Sequence, residues 1–196
     1  YEEVVRGWLK AIGEHIPYRN KGDGEIPKDW TDPTKENPEF PIKAKRWRIN
    51  KGYIDNVAFK GEKLALYEIK TAGKDAFDKM TEPKLDHLVQ AAFYFQAFND
   101  LTLEGEYAHI PEIPEGTQAE LLIILYLKRD DADLKQFVYT KDQLTQLILD
   151  LDKKVLDSFK FIDSKTLPEK NKGDCYFCPY RLKCDNDWNS IDISTD

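Results

Sequence analysis

Residues Gly52 to Thr71 read GYIDNVAFKGEKLALYEIKT, and the interpretation of this stretch decides the fold. Two runs of strand composition, Gly52 to Lys60 and Lys63 to Lys70, flank Gly61-Glu62, a glycine-first pair suited to a two-residue type II′ turn. A hairpin on that turn sets Lys60 opposite Lys63 and, counting outwards, Asp55 opposite Glu68. Side chains alternate along a strand, so Lys70 shares the face of these two carboxylates. The rest of that face is Val57, Phe59, Leu64 and Leu66, so the charges interrupt a surface otherwise suited to a core. Like charges directly opposed across two strands repel. Either a divalent cation held by both carboxylates offsets this repulsion, or Asp55, Glu68 and Lys70 form a salt-bridge cluster at the rim of an ordinary amphipathic hairpin. Mg²⁺ suits the first reading, because it binds through one or two carboxylates and completes its shell with water and phosphate oxygens.

The flanks of the hairpin are basic. Lys43, Lys45, Arg46, Arg48 and Lys51 precede it with Trp47 among them, and Lys74, Lys79 and Lys84 follow. A basic approach to an acidic metal centre is what a phosphodiester substrate requires; solvated lysines on a strand and loop are the plainer alternative. The net charge of −7 argues against coating nucleic acid through the whole surface.

Further out, Val4 to Ile16 has helical spacing of apolar residues and Pro17 is expected to end it. Residues 18–41, rich in Pro, Gly and charge, read as a long loop. Ala44 to Ile49 reads as a first strand and Thr71 to Glu82 as a connection. Pro83 to Asn99 reads as a helix with proline in its first turn. Glu120 to Lys128 and Gln136 to Thr140 read as strands, and Lys141 to Phe161 as an amphipathic helix. The predicted order is helix, three strands, helix, two strands, helix, an α/β class. With 196 residues, 41% hydrophobic and 33% charged, the chain suits a soluble cytoplasmic protein with one main domain over 1–162 and a polar tail over 163–196. No apolar run approaches the roughly 20 residues needed to span a bilayer, so no membrane partner is expected.

On the helix after the hairpin, His87, Gln90 and Tyr94 fall on one face. A Gln with a Tyr four residues later is ordinarily an interfacial polar pair. Combined with the hairpin, however, the set I-D, E-I-K thirteen positions later and then Q-x3-Y resembles the PD-(D/E)XK nuclease superfamily, specifically its RecB-like branch. The likeness covers roughly residues 44 to 140, with Ile54 replacing the proline of the name. It implies an αβββαβ core with a mixed central sheet flanked by helices. It further implies that Asp55 and Glu68 bind Mg²⁺ or Mn²⁺ together with the backbone carbonyl of Ile69. Lys70 would orient or activate the attacking water, and Gln90 and Tyr94 would border the catalytic centre and the DNA strand. The function implied is a metal-dependent deoxyribonuclease, an exonuclease of recombination, repair or replication, with a helicase or integrase as partner. The alternative is a noncatalytic DNA-binding or scaffold subunit.

Cys175, Cys178 and Cys184, the 3 cysteines of the chain, form C-x2-C-P-Y-x3-C near the C-terminal end. Soft thiolates at this spacing suit an iron-sulfur cluster or zinc. The segment is similar to the cluster-binding stretch of AddB-type repair subunits and CRISPR-adaptation nucleases, which implies a 4Fe-4S cluster with a fourth cysteine upstream. None lies upstream here, so the fourth ligand is expected before Tyr1, with a non-cysteine ligand or a degenerate cluster as the alternatives. The resemblance also makes His15, expected at the end of the first helix, a candidate extra metal ligand, against the default of a surface histidine.

Overall fold

A computed structural model of the chain describes residues 2–18 and 39–164. The chain divides into two compact units, Tyr1–Leu151 and Asp152–Asp196. The cysteine motif and most of the expected 18–41 loop lie outside the described residues.

The first helix, α1 (Glu2–Ala11), stops five residues earlier than its apolar spacing predicts. Gly13, at φ 78°, ends it rather than Pro17. The Gly13 N–H donates to the Lys10 carbonyl at 3.1 Å and the Glu14 N–H to the Leu9 carbonyl at 2.8 Å, the paired bonds of a Schellman cap. His15 therefore lies on an extended segment, not on a helix.

The region expected as a strand at Ala44 to Ile49 is a corner. Strand β1 (Phe40–Ala44) runs into a 3₁₀ turn at Lys45–Trp47 and returns antiparallel as β2 (Ile49–Ile54). Arg48 takes φ 54° to make this turn without a glycine to announce it. Trp47 anchors the corner, edge-on to Phe93 at 4.5 Å.

The expected run Gly52 to Lys60 is divided at Asp55, where the chain leaves β2 and enters β3 (Asn56–Lys60). Strand β4 (Lys63–Ala72) pairs antiparallel with β3 in the predicted register, with Lys60 opposite Lys63 and Asn56 opposite Tyr67. Gly61 has φ 65° while Glu62 does not take positive φ, as the glycine-first turn requires. The connection after β4 contains a short helix, α2 (Lys74–Lys79), and leads to α3 (Leu85–Leu103). Strand β5 (Leu121–Lys128) then pairs parallel with β4, and β6 (Leu134–Thr140) antiparallel with β5. Helix α4 follows over Lys141–Asp163.

The main sheet thus has the order β3-β4-β5-β6 and is mixed, with α1 against β4 and α3 against β5. A mixed central sheet flanked by helices is the expected class, but four strands rather than three precede α3, and β1 and β2 pair with each other in a separate two-stranded sheet. Alternate residues of β3, β4 and β5 build two apolar layers: Ala58, Ala65, Tyr67, Ile69 and Ile123 join Val5 and Leu9 of α1, whereas Val57, Leu66 and Ile124 are buried on the other face. Glu68 and Lys70 belong to that second face, beneath α3. No helix among the described residues is long and apolar enough to cross a membrane.

Candidate active site

The site forms where β3 stops pairing with β4. Beyond Asn56 the outward N–H groups of β4 lose their strand partner, and a buried amide without a partner is costly. The Asp55 carboxylate supplies it: Oδ2 accepts the Ile69 N–H at 2.6 Å. One side chain therefore replaces a backbone ladder bond, which fixes the carboxylate beside Glu68.

Asp55 and Glu68 are only 9% and 4% exposed, so their charges are poorly screened by water. Lys70 supplies a compensating charge, with Nζ 2.5 Å from Glu68 Oε1. The same ammonium donates to Gln90 Oε1 at 3.2 Å, and Gln90 Nε2 donates to the Tyr94 hydroxyl at 3.1 Å. Glu68, Lys70, Gln90 and Tyr94 thus form one connected line from the middle of the sheet to α3. Gly52 makes room for its far end: a Cβ there would stand 3.2 Å from Tyr94 Cε1.

Two buried carboxylates are hard oxygen donors of the kind Mg²⁺ and Mn²⁺ prefer, so the pair fits such an ion. Among the described residues no group of three His, Cys, Asp or Glu side chains gathers as a metal site. His15 accordingly does not join Asp55 and Glu68 in one. Its Nδ1 is 2.5 Å from Asn56 Oδ1, while Asn56 Nδ2 donates to the Glu14 carbonyl at 3.0 Å. Asn56 is fully buried next to Asp55 and points to the opposite, α1 face of the sheet. There the Tyr67 hydroxyl donates to Glu14 at 2.5 Å. Burial, reinforced by Glu14, pushes the Tyr67 phenol far above its ordinary range.

His87 turns to β5. Its Nδ1 lies 2.7 Å from the Tyr126 hydroxyl, and the imidazole stacks on the Tyr126 ring with centroids 5.6 Å apart. The Lys84 backbone N–H also donates to that hydroxyl at 3.1 Å. Burial holds the His87 pKa below its usual value; Lys70 and Lys84 act in the same sense and Asp86 opposes them. Burial raises the Tyr126 phenol. Asn56 and Tyr126 have no place among the site residues expected from the sequence, which reads Lys84 only as one of the basic residues after the hairpin. The available signals were the Asn directly after Asp55 and the single phenol inside the apolar run Leu121 to Leu127.

Residues 25–185 match the PD-(D/E)XK nuclease superfamily, and the chain belongs to that superfamily. No curated protein matches it. Among solved structures, one titled "Crystal structure of SSO0001" aligns at 13% identity and TM-score 0.39, covering 93% of this chain and 68% of that one.

Proposed function

We propose that the chain is a Mg²⁺- or Mn²⁺-dependent deoxyribonuclease of the RecB-like branch, acting as an exonuclease in recombination, repair or replication. The observation that carries this reading is the unbroken line from the buried Glu68 through Lys70 and Gln90 to Tyr94, beside Asp55. Asp55 and Glu68 would hold the ion, with the Ile69 carbonyl as a backbone ligand. The ion, when bound, lowers the pKa of water and neutralises charge on the phosphate.

The protein's own residues do the positioning. The Ile69 N–H orients the Asp55 carboxylate. Gln90, braced by Tyr94, holds the Lys70 ammonium in place, so that a fixed positive charge stands where negative charge develops on phosphoryl oxygens. His15, bound to Asn56, braces the backbone on the other side of Asp55 in this reading, and a ligand role would require it to leave that bond.

The remainder of the proposal rests on sequence spacing. Cys175, Cys178 and Cys184 would ligate a 4Fe-4S cluster, with zinc as the alternative. DNA is the substrate partner, and a helicase or integrase the protein partner, in the cytoplasm. The test is degradation of end-labelled single- and double-stranded DNA by anaerobically purified protein with Mg²⁺ or Mn²⁺, beside Lys70→Ala. Metal-dependent loss of label, absent in the variant, is the expected result. Folded protein that binds DNA and leaves it intact under both metals would instead assign a noncatalytic DNA-binding or scaffold role.

A further inference from the structure

Past Lys70, strand β4 leads into a cleft that the constellation above leaves unused. Its volume is about 430 Å³, and it is lined by residues 71–76, Lys84 and Arg129. Strands β4 and β5 are parallel, Ala72 pairs with Lys128, and Arg129 follows directly, so the cleft opens at the carboxyl ends of both strands. Open α/β sheets characteristically bind ligands there.

The charged lining is Lys74, Lys84 and Arg129 against the single carboxylate of Asp75. Neither Lys74 nor Lys84 has an ion-pair partner among the described residues. The neighbouring lysines are occupied: Lys128 pairs with Asp78, Asp131 and Asp133, and Lys135 donates to the carbonyls of Phe77, Asp78 and Met80. These bonds pin α2, which presents Lys74. Gly73 admits the Arg129 guanidinium to the backbone, since a Cβ there would lie 3.0 Å from Nη2.

The cleft is near the reaction centre but distinct from it. Two residues, Thr71 and Ala72, lie between Lys70 and Gly73, so the backbone advances roughly 10 Å from the reaction centre to the cleft. His87 stands within electrostatic reach of both Lys70 and Lys84. A polyanion seated at Lys70 therefore passes into a second zone of positive charge.

Resting on the nuclease reading, we propose that this cleft is a second phosphate subsite, in which Lys74, Lys84 and Arg129 hold a neighbouring phosphate of the polynucleotide being cleaved. Arg129 suits two phosphate oxygens at once and the lysines act as point charges. An internal phosphodiester and a terminal phosphomonoester share this chemistry.

The test is fluorescence anisotropy of labelled single-stranded oligonucleotides against a salt series without divalent ion, using the full chain and the double variant Lys74→Gln/Lys84→Gln. The variant's slope of log affinity against log salt should fall by about 1.4, roughly 0.7 for each lysine ammonium removed from the phosphate. Affinity should drop about equally for unrelated sequences. In cleavage assays with Mg²⁺, KM should rise more than kcat falls. If a terminal phosphate strengthens wild-type binding and leaves the variant unchanged, the subsite holds a strand end. If it changes neither while the slope falls, the subsite holds an internal phosphate. An unchanged slope and KM in a folded variant, beside an active wild type, overturn the subsite alone. A wild type that neither binds nor cleaves overturns the nuclease reading with it.

Discussion

Asp55 accepts the Ile69 N–H at 2.6 Å, so one carboxylate both closes the sheet and supplies charge to the site. The two roles separate by substitution. Asp55→Asn keeps an acceptor for Ile69 and removes the charge, so its unfolding free energy should stay within about 1 kcal/mol of wild type while cleavage is lost. Asp55→Ala also orphans the buried N–H and should cost about 1–3 kcal/mol more. Urea unfolding of both variants, with cleavage assays in parallel, checks this; equal stability of the two would remove the structural role.

Lys70 neutralises Glu68 from 2.5 Å, beside a second buried carboxylate. Lys70→Ala removes that positive charge from beside Glu68. A fully buried broken pair costs about 3–5 kcal/mol, and the partly exposed Lys70 side chain reduces this to roughly 1–3 kcal/mol through solvent screening. A divalent ion that binds the folded pair should restore part of the loss by mass action. The variant should therefore show a larger Mg²⁺-induced rise in Tm than wild type, along with the expected loss of cleavage. A Tm shift no larger than that of the wild type would argue against the two carboxylates as the ion's ligands.

How far this was legible follows from what sets each element. The hairpin register was readable because Gly61 dictates the turn and the turn dictates every pair out to Asn56 with Tyr67, which leaves Asp55 beside Glu68. The corner at Lys45–Trp47 was not, because Arg48 takes φ 54° under tertiary packing of Trp47 on Phe93 and no glycine marks the place. The break at Asp55 was hidden for a related reason: it exists because a side chain, not the backbone, satisfies Ile69. Gln90 and Tyr94 were legible as a helix face, and their link to Lys70 closes it. The cleft residues Lys84 and Arg129 are brought together only by the β4–β5 crossover, which local pattern does not encode.

Gly52 is a packing position, not a turn. An added Cβ would lie 3.0 Å from Ile42 Cγ1 as well as 3.2 Å from Tyr94 Cε1. Gly52→Ala should destabilise by about 1–3 kcal/mol through overpacking. It should also lower kcat, because displacing Tyr94 loosens Gln90 and, through it, Lys70. Gly7→Ala is the control: nothing lies within 4 Å of its Cβ, and alanine within α1 should stabilise by roughly 0.5–1 kcal/mol. Thermal melts and cleavage kinetics of both variants test the contrast, which fails if Gly52→Ala melts and cleaves like wild type.

His87 makes folding stability sensitive to acid. Its folded pKa is lowered first by burial and then by Lys70 and Lys84, against the opposing charge of Asp86, while Tyr126 faces the ring. The unfolded chain titrates this histidine near pH 6.5. Above that pH both states are neutral and the full stability is present. As pH falls below about 6.5 the unfolded state takes up the proton first, so stability declines until the folded pKa is passed. One proton limits the slope to about 1.4 kcal/mol per pH unit, and partial exposure of the ring makes the effect smaller. His87→Gln should flatten this part of the stability curve, seen as a difference between wild type and variant in urea unfolding from pH 7 down to pH 5. Parallel curves for the two proteins would show that His87 does not carry this acid sensitivity.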